Sequence, residues 1–521
     1  MASISTNVDL GRVSAVVGYG IEATLEGIGL GFLPQSIGIP AQADTVNEST
    51  APSVLSFTSS KEVGDEFGYG SQAYQIARIL RPKSGDVLGG IPTKILKVAA
   101  AGGGAAKVIT TTVSGTATGN ATHYLKVNGR TQLDGDSYAF SVETGDTASE
   151  VATKMASAMN AVLGCPMTGS TSTADFIATA DSVGAFTDEY NVEVLTQGNA
   201  VGMSYATVST ASGSGVPSIS TALGNIGDEW VTMIVNGFGS EETILDALED
   251  FNGDANTKTG RYDATIFKPC VAFFGDNNVS LLTESSEGAG DGITEITDTP
   301  TGRKSEMTNV FCPAPNSKGT AAEAAANMCV LYAPLAQSTP NVDPIGLSYP
   351  DMPIDSDTDI GDFADVAKRD QIVKIGGSTV KLVSGLYNVV DLVTTYHPDN
   401  EPQTAVLFRW VRDVVGVDFN FRYAYKLLEE IYVVGKTIVQ PGESSATGTI
   451  STNRWKSILA SQYGPSLVDN ALMADLSYFI ESLNVQIGES NPNRFETNFK
   501  AKRTGTARVL DTTNQTTFNF G

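Results

Sequence analysis

The sequence predicts a multi-domain α/β protein, α+β in its overall mixture: a middle α/β domain, an inserted β-rich outer domain and a terminal core domain with mixed sheet plus helices. Three observations lead there. The length of 521 residues corresponds to three or four domain-sized units. Strand-like runs alternate with helix-periodic runs both before residue 99 and after residue 229, as parallel βαβ units require. Between those stretches lies a segment rich in Thr, Ser, Gly and Ala, bounded by AAAGGGAA (99–106) and ASGSGVPS (211–218). The boundaries read as an N-terminal arm at 1–25, the middle domain at 26–99 and 215–340, the insert at 100–214, the core domain at 341–504 and a C-terminal arm at 505–521.

In order along the chain, Val13, Ala15, Val17, Tyr19 and Ile21 share one parity in a Ser/Gly-rich background, which suits an extended arm with a strand in it. Ser71 to Leu80 has helical spacing, with Ala73, Ile76, Ala77 and Leu80 on one face, and Lys94 to Ala99 reads as a strand. Inside the insert, His123–Val127 and Tyr138–Val142 alternate like strands across turn signals at Asn128-Gly129 and Asp134-Gly135. Thr147 and Glu150 have capping-box spacing ahead of Val151, Met155, Met159 and Val162, which recur as one helical face. After the insert come a strand at 230–235, a helix at 241–251, strands at Ala264–Phe267, Val271–Phe274 and Asn309–Cys312, and a helix from about Ala321 to Tyr332. Strands near Ser378–Val383 and Tyr387–Tyr396 follow, then helices from about Thr404 and over Ser466–Leu483, and a strand-like tail at Thr517–Phe520.

Charge narrows the function. The net charge of −25 argues against nucleic-acid binding, because phosphate neutralisation needs a Lys/Arg surplus. Twelve Lys/Arg and twelve Asp/Glu lie from Glu401 to Gly521, so the first 400 residues carry the whole deficit. The two ends either face different partners or simply differ in surface acidity. No secretory leader and no run of roughly 18 apolar residues is visible, so folding in a cytoplasm without membrane insertion is expected. Cys165, Cys270, Cys312 and Cys329 form no CxxC pair, which disfavours a zinc site and leaves them thiols when made.

Little points to catalysis. His123 and His397 are the two histidines, and neither sits in a recognisable catalytic setting. Asp and Glu are abundant, yet no spacing singles out an acid–base pair. Gly68-Tyr69-Gly70-Ser71-Gln72-Ala73 fits the dinucleotide pattern and opens a helix, but KEVGDEF before it is a poor buried strand and the expected acidic residue about 20 positions on is not evident. Gly237-Phe238-Gly239-Ser240 is followed by Glu241 and Glu242, which repel phosphate, and Gly435-Lys436-Thr437 has Glu430 where a P-loop needs its first glycine. No cofactor, metal or catalytic residue is therefore assigned. Arg494, Lys500, Lys502, Arg503 and Arg508 stand against Glu496 alone between 491 and 510, either a docking patch for an acidic partner or a solvated tail.

Several segments together resemble contractile phage tail sheath proteins, in particular the Mu-like sheath group. They are FGYGS (67–71) leading into a helix, the insert's GTATGNATHYLKVNG and VETGDTASEVATKMASAMNAV, GRYDATIFKPCVAFFGD (260–276), LYNVVDLVTTYHPDN (386–400) followed by FRWVRDVV, and NPNRF (491–495). Their order spans about residues 60 to 500; the Pro-Gly-Val-type start common in that family is absent. The resemblance implies a non-enzymatic structural subunit of a virion tail, assembled in the host bacterial cytoplasm. Its partners would be itself, as a helical homo-oligomer of hexameric rings, then the tail tube protein, and the baseplate and tail terminator proteins. Contraction would drive the tube through a host envelope for genome delivery; a phage-like bacterial injection particle is the alternative setting, and a dinucleotide-binding enzyme the alternative class. It further implies a core domain facing the tube, with Arg494, Lys500, Lys502, Arg503 and Arg508 as tube-facing candidates. Arms would add strands to neighbours' sheets, here through Val13, Val17, Phe518 and Phe520. In the oxidising medium a released particle meets, Cys165, Cys270 and Cys312 are the candidates for inter-subunit disulfides.

Overall fold

Runs of apolar residues without alternation mark strands that are covered on both faces. The computed structural model describes residues 30–280, 282–284, 293–295, 307–355, 358–398, 406, 408–443 and 446–508. It opens with such a run, β1 (Ile37–Ala41), every residue of which is buried, followed by β2 (Val54–Phe57). Helix α1 (Ser60–Phe67) occupies the KEVGDEF segment, α2 (Gln72–Leu80) starts where the Ser71 hydroxyl accepts the Tyr74 N–H at 3.1 Å, and β3 (Thr93–Lys97) closes this stretch.

The insert folds as two antiparallel sheets around one helix. Its elements are β4 (Val108–Gly115), β5 (Ala121–Val127), β6 (Ala139–Val142), α3 (Ala148–Asn160), β7 (Met167–Ser172), β8 (Asp175–Ala180), β9 (Val192–Leu195) and β10 (Met203–Ala211). One sheet runs β10-β4-β8-β7, the other β9-β5-β6. Alternation puts Ile109, Val113, Phe176, Leu125, Val127 and Phe140 inside, where Met155 and Met159 of α3 join them. Both bonds of the Thr147–Glu150 capping box form, which fixes where α3 begins.

The α/β layer resumes with β11 (Met233–Val235), α4 (Glu242–Asn252), β12 (Val271–Asp276), β13 (Asn309–Pro313) and α5 (Ala321–Ser338). The sheet order is β13-β12-β11-β1-β3-β2, parallel throughout except for the β2–β3 edge pair, with Ile37 opposite both Met233 and Thr93. Six strands thus come from both sides of the insert. The alanine-rich α5 lies directly on this sheet: at Gly275 a Cβ would run into the Ala321 carbonyl, so only glycine fits there. Among the described residues, no helix is long and apolar enough to cross a membrane.

Three sequence expectations need correction. Ala264–Phe267 is no strand: Phe267 sits at φ 36 and packs its ring 6.3 Å from Trp230, which ends the segment in turns. The strand from Tyr387 stops early, as β14 (Thr379–Val383) and β15 (Leu386–Asp391) form a hairpin turning at Ser384-Gly385, both at positive φ. The helix expected from Thr404 is seen from Arg412, as a π-helical stretch to Asp418 that continues into α6 (Phe419–Tyr432); here Gly416 lies against the Pro340 carbonyl. The expected strands around Val13, Val17, Phe518 and Phe520 lie outside the described residues.

The chain divides within α6 into two units, the larger formed by 32–423 with 503–521 and the smaller by 1–31 with 424–502. Residues 341–423, grouped above with the C-terminal core domain, belong to the larger one. In the smaller unit the helix expected over Ser466–Leu483 is broken. α7 (Thr452–Ile458) passes through a π-turn into α8 (Gly464–Asp469), and α9 (Leu476–Ser482) starts afresh where left-handed Asp475 accepts the Tyr478 N–H at 3.1 Å. The strands β16 (Asn484–Ile487) and β17 (Phe495–Asn498) pair antiparallel. Its core is aromatic: Tyr425 packs against Trp455 and Tyr463, Tyr463 against Phe479, and Phe479 against Phe499, with ring centroids 5.2–5.9 Å apart.

Candidate functional site

The glycine loop at 68–73 has the sequence of a phosphate cradle and the surroundings of something else. It follows a helix, α1, where a dinucleotide site needs a strand. Carboxylates fill the space a pyrophosphate would take: a Cβ on Gly68 would meet Asp44, and one on Gly70 would meet Asp181. Burial raises the Asp181 carboxyl pKa, with Thr168 opposing and Asp44 adding to the rise. The glycines make room for acidic side chains and for the cap of α2, a packing role. Gly435 and Lys436 lie in the turn before a short strand at Thr437–Ile438, with no following helix to cradle a phosphate.

Both histidines are buried and hydrogen-bonded within the fold. His123 is fully buried, with Nδ1 2.7 Å from the Tyr205 hydroxyl and Nε2 2.8 Å from the Asn199 carbonyl. His397 is buried with Nδ1 2.6 Å from the Thr395 carbonyl.

The basic cluster separates into two groups. Arg494, Lys500 and Lys502 belong to the smaller unit and are exposed; Arg494 lies 3.4 Å from Glu496, and Lys502 pairs with Asp475 while lying over the Tyr478 ring. Arg503 and Arg508 belong to the larger unit and turn inward. Arg503 sits 2.7 Å from Asp418, Arg508 pairs with Asp343 and stacks 3.2 Å from the Trp410 ring centre, and between them Thr504 accepts Arg412 through its carbonyl at 2.6 Å and its hydroxyl at 2.8 Å. Residues 503–508 are thus a strap held by guanidinium contacts. Burial pushes the Asp418 carboxyl up to about 7 although Arg503 opposes it, and raises Asp343 in the same way against Arg508.

All four cysteines are free thiols in apolar interiors, with exposures of 5% for Cys165, 1% for Cys270 and none for Cys312 or Cys329. Burial pushes the Cys165 thiol up to about 11 and Cys270 to about 12. A bridge to another subunit would require the sulfur to leave its core.

Two features escaped sequence reading. The first is a buried ionic knot. Arg78 of α2 reaches Glu323 at 2.5 Å and also Asp351, while Arg130 of the insert reaches Glu323 at 3.0 Å and Asp351 at 3.2 Å. Side-chain exposures are 4% for Arg78, 10% for Arg130 and 2% for Glu323, while Asp351, at 42%, forms the solvent-facing side of the knot. Burial works against the charge on Arg78, but Glu323, Asp351 and Asp134 hold it protonated; burial also works to raise Asp351, yet Arg78 and Arg130 keep it below the usual carboxylate value. No local motif announces a contact spanning 245 positions; the available signal was Arg and Glu at otherwise apolar helical positions of α2 and α5.

The second feature is a set of strand edges. Asn160 donates to the Gly169 carbonyl and accepts the Gly169 N–H, both at 2.8 Å, so a side chain completes the outer edge of β7. At the opposite edge of that sheet, β10 exposes Ala206–Ala211 and carries no charged residue or proline. In the smaller unit, β16 and β17 pair only with one another among the described residues, leaving one edge of each open.

No family model matches the chain, and no curated protein sequence does. Among solved structures, the chain is similar to the sheath tail protein of Desulfitobacterium hafniense, with a TM-score of 0.40 and 12% identity over 94% of this chain and 100% of that one. It is also similar to the PVC sheath complex of an extracellular contractile injection system in its contracted state, with a TM-score of 0.39 and 10% identity over 97% of this chain and 98% of that one.

Proposed function

We propose that the chain is a structural subunit of a contractile sheath, which polymerises helically around a tube and shortens to drive that tube through a cell envelope. The observation that carries the reading is the pair β16–β17, a two-stranded ladder with no further strand on either edge among the described residues and so able to accept one there. Each added backbone hydrogen bond contributes about 0.5–1.5 kcal/mol net, so an arm from a neighbouring copy both registers the subunits and tethers them. The order of sheath-like motifs from FGYGS to NPNRF supports the same reading. A contractile lattice needs no nucleotide chemistry: differences of a few kcal/mol per subunit, summed over many subunits, suffice to make the switch one-way.

In this reading the partners are other copies of the chain, a tube protein and end-capping assemblies, and the particle is a phage tail delivering a genome. The exposed Arg494, Lys500 and Lys502 are the cations available to an acidic tube, while Arg503 and Arg508 secure the chain's own strap. Negative-stain electron microscopy of the concentrated protein, alone and co-expressed with the neighbouring tube protein, tests the proposal. Hollow tubes or stacked rings are expected, and their loss on deleting residues 509–521. A persistent monomer beside assembled tubes would overturn it. Reversal of Arg494 and Lys500 to Glu should shorten or abolish sheaths on tubes; sheaths of unchanged length would remove these residues from the tube-facing surface.

A further inference from the structure

Two chain crossings rich in glycine, 99–106 and 211–218, connect the insert to the α/β layer and read in sequence as flexible linkers. In the structure they hold one another. The Ala105 N–H donates to the Ser214 carbonyl at 2.9 Å and the Ser214 N–H to the Ala105 carbonyl at 3.1 Å. Gly215 leaves only 2.9 Å between the position of a Cβ and the Gly104 Cα. The glycines therefore serve close approach of two backbones.

Beyond this stalk the insert is fastened on several sides. Arg130 shares Glu323 and Asp351 with Arg78, and the Tyr74 hydroxyl donates to Asp134 at 2.8 Å. Asn191 donates to the Lys318 carbonyl at 2.8 Å, and Glu189 accepts the Ala321 N–H at 2.7 Å at the start of α5. From the other direction Gln75 donates to the Gly164 carbonyl and the Thr45 N–H to the Asp181 carbonyl, each at 2.8 Å. Gly129 at the tip of the β5 turn is enclosed by Lys318 and Pro353.

The ionic knot couples the insert to α2 and α5 through shared partners. Glu323 and Asp351 each serve both arginines, and Asp134 stands 3.9 Å from Arg78 as a third carboxylate. Withdrawing Arg130 leaves Arg78 facing two carboxylates with Glu323 out of reach of water, so partial opening strands a buried charge.

We propose that the insert is a fixed outrigger: the paired linkers and the Arg78–Glu323–Arg130–Asp351 knot make it one rigid body with the α/β layer, and the glycine-rich crossings are not a hinge. This does not depend on the sheath reading. In any rearrangement of the chain, the strands of the insert keep a constant position relative to the central sheet.

Spin labels on a Lys61→Cys, Thr153→Cys double variant, at exposed positions of α1 and α3, test this by pulsed dipolar distance measurement; the four buried native thiols leave the introduced ones selectively reactive. A single narrow distance distribution is expected, broadening in an added Arg130→Met and partly restored by Arg130→Lys. A broad or two-peaked distribution without the knot variant, or a distribution that Arg130→Met leaves unchanged, overturns the proposal. Should Arg130→Met fail to fold, hydrogen exchange of the unmodified chain decides: the Ala105 and Ser214 amides are expected to be protected as well as the strands of the insert, and free exchange at both refutes the stalk.

Discussion

Asp418 offers a test in which sign and size both follow from its surroundings. Its carboxylate lies beside Arg503 at 2.7 Å, with side-chain exposures of 17% and 26%, near Asp413 and Tyr262. Burial lifts its pKa to about 7, against an ordinary value near 3.9 in an unfolded chain. A raised pKa means that the folded state holds the proton more tightly, so the stability this group contributes is fully present below about pH 4 and is lost as pH rises through 7. Three pKa units correspond to about 4 kcal/mol, and discounting for residual solvent access leaves about 2–4 kcal/mol. Asp418→Asn keeps the shape and abolishes the titration. Thermal and urea unfolding of both proteins at pH 4.5, 6, 7 and 8.5 should show the variant gaining on the parent with rising pH, with most of the gain between pH 5 and 7. Parallel stability curves would refute the reasoning, and a variant that loses ground at high pH would show that the Arg503 pair outweighs desolvation.

Three further outcomes follow from local geometry. Thr147→Ala removes the hydroxyl that accepts the Glu150 N–H at the start of α3, leaving only the bond from the residue 147 backbone N–H to the Glu150 carboxylate, and should cost about 1 kcal/mol, read as earlier loss of protection in the insert by hydrogen exchange. Gly275→Ala would place a methyl group on the Ala321 carbonyl and should cost more than about 3 kcal/mol, so soluble yield should collapse, whereas Gly385→Ala, strained by its positive φ alone and surrounded by open space, should cost about 1 kcal/mol. The four thiols should react with a disulfide reagent only on unfolding, and gels run with and without reductant should show the same migration for native protein; rapid reaction of Cys165 in the native state would reopen the inter-subunit bridge.

What could be read ahead of the structure follows the range of the forces involved. Caps and periodicity are local: Ser71 and α2, Thr147 and α3, and the buried face Val151, Met155 and Met159 all stand where their spacing places them. The mixed α/β class was legible because buried parallel strands such as VAFFGD leave an unbroken apolar run. Misreadings arose where tertiary contacts override local preference. Trp230 and Tyr262 hold Phe267 in a turn, and Asn470 through Asp475 interrupts an apolar face that continues at helical spacing. Charge was the least legible quantity. Arg494 and Arg503 stand nine positions apart in one basic stretch, yet one faces solvent and the other lies against the buried Asp418 carboxyl, a distinction set by residue 418 and invisible to a local count. The knot at Glu323 likewise needed three distant segments.

The unequal finish of the insert's larger sheet sets a limit on how it can aggregate. A sheet bare on both sides can lengthen without end as copies add left and right, the route to a ribbon or fibril. Here the Asn160 amide occupies the Gly169 N–H and carbonyl on the β7 side, while the β10 side carries no strand among the described residues. Two such sheets meeting edge to edge would use up both bare sides and stop at a pair. An open-ended ladder through this sheet would in addition have to displace the Asn160 amide from Gly169.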